Sequence, residues 1–194
     1  MNMPFDALDD VSNEALLVLY ANGDRAAARA LTMRLTPRVL GYASRVLGDR
    51  AEADDVAQEA MLRLWKIAPD WRQGEAKVST WMYRVVANLC TDRLRKKRSS
   101  TLDEVDEPID ETPGVEAQMQ QQERARALTL ALATLPERQR EAVILRHIEG
   151  LANPEIAEVL DISVEAVESL TARGKRALAT VLAGQREALG IDHD

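Results

Sequence analysis

The sequence has little of several residue types on which other classes of protein depend. Cys90 is the only cysteine, so no disulfide can form within the chain, and the two histidines, His147 and His193, are too few to complete a zinc site with it. No stretch approaches the roughly 20 apolar residues that span a bilayer. The first residues, MNMPFDALDD, lack the basic start and apolar core of a secretory signal. We therefore expect a protein of the reducing cytoplasm, with no metal or other cofactor.

Aromatic residues are also scarce, at 4% of the chain, although 46% of the residues are hydrophobic. Much of the hydrophobic content is Ala and Leu, which favour packed helices over sheets of β-branched and aromatic residues. No convincing alternating strand pattern is present. The sequence predicts an all-α fold, and its 194 residues suit two small domains.

Charge is unevenly distributed along the chain. The net charge of −7 excludes a protein coated in basic surface, so any nucleic-acid face must be local. Four consecutive cations at 95–98 are followed by seven acids with no base among them: Asp103, Glu104, Asp106, Glu107, Asp110, Glu111 and Glu116. The segment 99–115 has prolines and almost nothing to bury. We predict an acidic flexible linker over 99–115 between a domain at 1–98 and a domain at 116–190.

Helix boundaries in the first domain are marked by caps and breakers. Asp24 is suited to cap a helix, Pro37 suits a first-turn position, and Gly48 is suited to end a helix. A later helix is predicted to open at Ser79 or Thr80 and to run into the basic cluster.

The second domain contains a helix-turn-helix pattern in NPEIAEVLDISVEAVESL. Apolar residues fall where two short helices that cross steeply need contacts, and Asp161 suits the left-handed residue of the turn. The second helix would present four residues to base edges, with basic residues farther along to hold the backbone: Glu165, Ala166, Glu168 and Ser169, then Arg173, Lys175 and Arg176. The pattern also fits a plain helical hairpin used for packing.

Two polar surfaces are predicted in the first domain. On the helix that ends in RKKR, helical spacing aligns Arg84, Asn88, Thr91, Asp92 and Arg95. This stripe is flanked by Trp81 and Tyr83, and an amide, aromatic rings and cations together suit single-stranded nucleic acid, although a solvated face has the same pattern. The preceding helix groups Asp54, Asp55, Gln58, Glu59 and Leu62. Because no second carboxylate cluster faces this group, it indicates an acidic patch for a basic partner rather than a magnesium-dependent enzyme.

Three segments, in this order, resemble one family: DRAEADDVAQEAMLRLWK, STWMYRVVANLCTDRLRKKR and LPERQREAVILRHIEGLANPEIAEVLDIS. They are similar to bacterial extracytoplasmic-function (ECF) sigma factors, the smallest sigma-70-type initiation factors. Three ordered motifs are far more specific than a helix-turn-helix alone. The resemblance implies a region 2 helical bundle, a linker and a region 4 helix-turn-helix, with no covalent chemistry because the polymerase makes the bonds.

The resemblance also implies a role for each surface. The docking set, which would bind core RNA polymerase, consists of Asp54, Asp55, Gln58, Glu59 and Leu62. The minus-ten set, which would melt and read the minus-ten promoter element, consists of Arg84, Asn88, Thr91, Asp92, Arg95, Lys96, Lys97 and Arg98. The minus-thirty-five set, which would read duplex DNA, consists of Glu165, Ala166, Glu168, Ser169, Arg173, Lys175 and Arg176. An anti-sigma factor as partner and a stress-response regulon are further implications, and the acidic linker would enter the RNA channel of the polymerase.

One departure from the family pattern lies in the recognition helix. Where the family usually has threonine, lysine and arginine, this chain has Ala166, Glu168 and Leu170. The departure leaves open which minus-thirty-five sequence is read. Two alternative functions are a sigma-like decoy that sequesters an anti-sigma factor and an ordinary helix-turn-helix regulator, the second of which leaves the first hundred residues unexplained.

Overall fold

A computed structural model describes residues 8–72, 74, 77–100 and 116–188. Within these ranges the chain forms helices and no strand, which confirms the predicted all-α fold. The α-helices are α1 (Asn13–Ala21), α2 (Arg25–Leu47), α3 (Arg50–Ile67), α4 (Val78–Ser100), α5 (Glu116–Ala133), α6 (Glu137–Val143), α7 (Asn153–Leu160) and α8 (Val164–Ala188). A 3-10 turn (Ala68–Asp70) follows α3, and a π-helical turn (Ile144–Ile148) continues α6. None of these helices is long and apolar enough to cross a membrane.

The predicted linker overlaps the end of α4 by two residues, because this helix continues to Ser100. The rest of the predicted linker, 101–115, lies outside the described residues. The domain boundaries therefore remain predictions.

Helix α2 begins and ends where its caps predict, but it does not break between them. The Asp24 carboxylate accepts hydrogen bonds from the backbone nitrogens of Ala26 and Ala27 at 2.8 and 3.2 Å, and Gly48 ends the helix with φ 69°. Pro37 lies inside the helix, so the prediction of a first-turn position is wrong. Proline removes one backbone hydrogen bond. Core residues on both sides of it keep the helix continuous: Leu31, Leu35, Val39 and Tyr42 are all buried.

Helix α4 begins at Val78, earlier than Ser79 or Thr80, because its first amide is satisfied by another helix. The backbone nitrogen of Val78 donates to the Glu14 carboxylate of α1 at 2.8 Å. A cap supplied by a residue so distant in the chain leaves no local sequence signal.

The helix-turn-helix forms as the sequence predicts. Asp161 adopts the left-handed conformation, with φ 54°, in the turn after α7. Ser163 Oγ then accepts a hydrogen bond from the backbone nitrogen of Ala166 at 3.2 Å and caps α8. Leu160 and Val167 are buried between the two helices.

Gly174 permits a close contact between α8 and α6. A Cβ atom at this position would lie 2.6 Å from Val143 Cγ2 and 3.1 Å from the backbone oxygen of Gln139. Both distances are shorter than an ordinary van der Waals contact, so no larger residue fits without moving one of the helices.

We predict that Gly174→Ala lowers the free energy of unfolding by about 1 to 2 kcal/mol, since overpacking outweighs the gain in helix propensity. Gly41→Ala is the control, because a Cβ there would meet only the side chain of Arg45, at 2.9 Å, which can shift while its weak ion pair with Glu149, at 3.5 Å, adjusts. The control should leave stability unchanged or raise it by up to about 1 kcal/mol. Urea denaturation followed by circular dichroism measures both, and equal stabilities of the two variants would contradict the tight contact.

The two halves of the chain pack against each other. Helix α7 lies against α4, and α5 lies against α2. Tyr42 and Cys90 from the first half belong to the same buried apolar cluster as Ile144 and Leu145 from the second. The described residues therefore share one continuous core.

Candidate docking and nucleic-acid surfaces

Four of the five residues of the docking set are exposed on α3, and the fifth, Glu59, is half-buried. Asp49 Oδ1 caps this helix by accepting from the backbone nitrogen of Glu52 at 3.1 Å. One face of α3 is buried through Val56, Ala60 and Leu64. The opposite face exposes Leu62, at 56% of its surface, beside the carboxylates of Asp54 and Asp55, whose side chains are 56% and 69% exposed. Single exposed apolar residues are common, and Met33 and Leu130 are 56% and 54% exposed, so Leu62 alone does not distinguish a docking surface from a solvated face.

The carboxylates of this surface make only exposed ion pairs. Asp54 lies 3.5 Å from Arg50, and Asp55 lies 3.6 Å from Arg93. Arg93 also pairs with Glu52 at 3.0 Å, which joins α3 to α4. Exposed pairs contribute little free energy, so a basic partner can compete for these carboxylates.

The minus-ten set follows one stripe of α4. Arg84, Asn88, Asp92 and Arg95 are exposed, whereas Thr91 is half-buried where α6 approaches. Asp92 and Arg95 form an ion pair at 2.8 Å. The structure therefore aligns the predicted stripe along one helix.

The four cations at the end of α4 are exposed, and they make contacts within the chain besides the ion pair between Arg95 and Asp92. The backbone oxygen of Lys96 accepts from Ser99 Oγ at 2.9 Å. Arg98 pairs with Glu137 of α6 at 2.8 Å. The negative end of the helix dipole stabilises these cations, and the attraction for a phosphate would come from the cations alone.

The two flanking aromatic residues do not present free rings in this structure. Tyr83 is buried, and its hydroxyl donates a hydrogen bond to Glu149. Burial and this bond raise the pKa of Tyr83 far above its usual range. Trp81 is half-buried and packs edge-on against Trp71, with ring centroids 6.1 Å apart. The Tyr83 ring is therefore not accessible for base stacking in this arrangement.

The four residues of the minus-thirty-five set that would contact base edges lie on the first two turns of α8. Glu165 and Glu168 are exposed, and Ala166 and Ser169 are half-buried. A backbone N–H and the Ser163 hydroxyl lower the pKa of Glu165, as expected for a carboxylate at a helix N-terminus.

The basic residues Arg173, Lys175 and Arg176 follow on α8 and are exposed. Burial, then the charges of Lys175 and Arg146, lower the pKa of His147. Arg146 is also exposed, and its guanidinium donates to the backbone oxygen of Leu151 at 2.9 Å.

Comparison with known proteins identifies two regions of the chain. The family model described as Sigma-70 region 2 matches residues 31–100, and the one described as Sigma-70, region 4 matches residues 125–178. The ECF RNA polymerase sigma factor SigM of Mycobacterium tuberculosis is 32% identical over 181 residues, covering 92% of this chain and 88% of the relative. The chain belongs to the ECF sigma factors. It is a member of a family of transcription initiation factors and not an enzyme.

Other members of the ECF family show comparable similarity. SigW of Bacillus subtilis is 30% identical over 169 residues, covering 80% of this chain and 89% of the relative. The solved structure of CnrH in complex with the cytosolic domain of CnrY has a TM-score of 0.65 at 25% identity and covers 89% of this chain and 97% of that chain. RpoE in complex with the anti-sigma factor NepR, from Bartonella quintana, also has a TM-score of 0.65; at 17% identity it shows the fold, over 80% of this chain and 96% of that chain.

Proposed function

We propose that this ECF sigma factor binds core RNA polymerase through the docking set and directs it to promoters through the other two sets. The observation that carries the proposal is that each of the three sets has exposed residues, in the family order: Asp54, Asp55 and Leu62 on α3, Asn88 on α4, and Glu165 and Glu168 at the start of α8 after the helix-turn-helix turn. A helix entering a major groove reads base edges, while the cations position it.

We also propose that an anti-sigma factor controls this chain in the cytoplasm and that its promoters belong to a stress-response regulon. The solved structure of RpoE with the anti-sigma factor NepR supports the first part, because it shares this fold. The predicted linker, 99–115, is proposed to enter the RNA channel of the polymerase, which suits its acidic composition.

In vitro transcription with purified core polymerase on a promoter library tests the proposed function. We expect transcripts from a defined class of promoters only when the chain is added. A sigma-like decoy would yield no promoter-specific transcript, and a helix-turn-helix regulator would act only with another sigma factor present.

The free chain is expected to bind promoter duplex weakly and to bind it well with core polymerase. Its net charge is −7 and its basic surfaces are small, so phosphate contacts alone contribute little affinity. A mobility-shift assay at physiological salt measures both states. Tight, sequence-specific binding by the free chain would contradict this prediction.

A further inference from the structure

The basic run at the end of α4 leads directly into Ser99, a residue outside all three predicted sets. The four cations at 95–98 precede it in the chain. Ser99 is exposed in the last turn of the helix, which ends at Ser100. Its hydroxyl therefore lies where an enzyme can contact both the serine and the cations before it.

The other serine side chains that the structure describes lack this combination. Ser12 and Ser163 accept capping hydrogen bonds from backbone nitrogens, at 3.2 Å in each case. Ser169 accepts a hydrogen bond from an arginine of α8 at 2.5 Å, and Ser44 and Ser79 are half-buried. None of these five serines follows a run of cations.

The Ser99 hydroxyl points back along α4 toward the cations. Ser99 Oγ donates a hydrogen bond to the backbone oxygen of Lys96 at 2.9 Å. Side chains three and four positions earlier share its face of the helix, and these are Lys96 and Arg95. Arg95 pairs with Asp92 at 2.8 Å, but the two side chains are 74% and 54% exposed, so this pair contributes little and can open. A phosphate on Ser99 would therefore lie within reach of two cations.

The end of α4 also suits entry into the active site of a kinase. The backbone oxygens of the last turn of a helix have no partner within the helix, so this turn opens more readily than the helix interior. Kinases discriminate among substrates by charge pattern, and acidic side chains in the substrate groove select cations beside the serine. The four exposed cations before Ser99 have that pattern.

We propose that Ser99 is a phosphorylation site for a serine/threonine kinase with an acidic substrate groove, and that the phosphate weakens binding to promoter DNA. The first part stands on the position of the hydroxyl and its cations. The second part rests on the proposed function, because it assumes that the cations at 95–98 hold promoter phosphate.

The modification is a phosphoryl transfer from a nucleoside triphosphate. Ser99 Oγ attacks the γ-phosphorus of ATP, a bond forms between these two atoms, and the bond from phosphorus to the bridging β,γ-oxygen breaks. ADP leaves, and the hydroxyl proton passes to a carboxylate of the kinase. The product is a phosphoserine with about −1.5 to −2 charges at pH 7.

A phosphate at this position opposes DNA binding in two ways. It lowers the charge of the four-cation run from +4 to roughly +2. It also accepts hydrogen bonds from Arg95 and Lys96 that promoter phosphates would otherwise accept. Because fewer counterions are then released on binding, we expect the affinity of the holoenzyme for promoter DNA to fall about tenfold or more. The slope of log K against log salt should become shallower by about 2.

Mass spectrometry of the full chain tests the site. The purified chain is incubated with ATP and a soluble extract of the bacterium that encodes it, with phosphatase inhibitors present. We expect one phosphate on Ser99, only when ATP is added, and none on the chain with Ser99→Ala. A chain without phosphate, or with phosphate only at another residue, would overturn the site.

A second pair of substitutions tests how the kinase recognises the site. Lys96→Gln combined with Lys97→Gln removes two of the four cations and should lower phosphate incorporation at Ser99 several-fold. Incorporation equal to that of the wild type would refute recognition by an acidic groove.

Promoter binding by the holoenzyme tests the consequence. The phosphorylated chain and the Ser99→Ala chain, treated in the same way, are each combined with core polymerase and titrated with promoter duplex over a series of salt concentrations. The Ser99→Ala chain should bind as the untreated wild type does, and a phosphatase should restore the affinity of the phosphorylated chain. Equal affinity and equal salt slope in the two chains would overturn the regulatory part.

Two acid variants separate local charge from total charge. Ser99→Asp places one negative charge beside Arg95 and should weaken promoter binding about threefold. Thr32→Asp is the matched control, because Thr32 on α2 is also exposed and its hydroxyl donates to a backbone oxygen at the same distance, 2.9 Å. The control should bind promoter as the wild type does, and an equal loss in both variants would refute a local effect at Ser99.

Failure of this inference and failure of the proposed function give different results. If the unphosphorylated chain with core polymerase initiates at no promoter, the proposed function fails and the regulatory part fails with it. Mass spectrometry still decides whether Ser99 accepts a phosphate, because that measurement needs neither polymerase nor promoter.

Discussion

Reversing the charge of the docking set with Asp55→Lys and Gln58→Lys is expected to weaken binding to core RNA polymerase about 100-fold or more, because like charges facing each other cost several kcal/mol. Both side chains are exposed on α3, opposite its buried face, so the fold should survive. Arg93 loses its contact with Asp55 but keeps Glu52 at 3.0 Å, which preserves the bridge between α3 and α4. Fluorescence anisotropy against core polymerase measures the affinity.

A matched control separates a specific surface from net charge. Ala21→Lys combined with Asp70→Lys makes the same total change in charge at exposed positions outside the docking set. This control should bind core polymerase nearly as the wild type does. Thermal unfolding by circular dichroism should give similar midpoints for all three chains, and wild-type affinity in the docking variant would place the interface elsewhere.

The fold was largely predictable because its determinants are local. Helix caps and turns can be predicted from the sequence because the residues that form them act within a few positions. Here those residues are Asp24, Gly48, Asp161 and Ser163. Pro37 is the exception. Core contacts on both sides of Pro37 outweigh one lost backbone hydrogen bond. Those contacts depend on the tertiary structure, so the proline in the sequence wrongly predicted a helix start.

The sequence predicted which residues of the candidate surfaces share one face of a helix. It did not predict which other parts of the chain cover the neighbouring residues. Helical spacing aligned Arg84, Asn88 and Asp92 on one exposed face of α4. The same spacing could not show that Tyr83 points to Glu149 or that Glu14 caps α4, because each pair joins residues more than sixty positions apart. Contacts between the two halves arise from tertiary packing, which leaves no periodic trace in the chain.

The recognition helix carries an acid where DNA would be close, and we expect that acid to read a base. Glu168 is exposed on the second turn of α8, about 1.4 turns before Arg173. Among the described residues no hydrogen bond or ion pair holds its carboxylate, which is therefore available to accept a hydrogen bond from cytosine N4. A carboxylate near phosphates weakens binding to every DNA sequence, unless a hydrogen-bond donor on a base offsets the repulsion.

Glu168→Ala should therefore cost about 1 to 3 kcal/mol at one base pair of the minus-thirty-five element, roughly a 5- to 150-fold loss, and relax selectivity there. The measurement is transcription by the mutant holoenzyme on promoters varied one base pair at a time through the element. Glu158→Ala, which changes an exposed acid on α7, is the matched control and should leave base preference unchanged. If Glu168 only repels phosphate, its removal will strengthen binding to every promoter about equally. That result would reject base readout and identify Glu168 as a residue that limits non-specific binding.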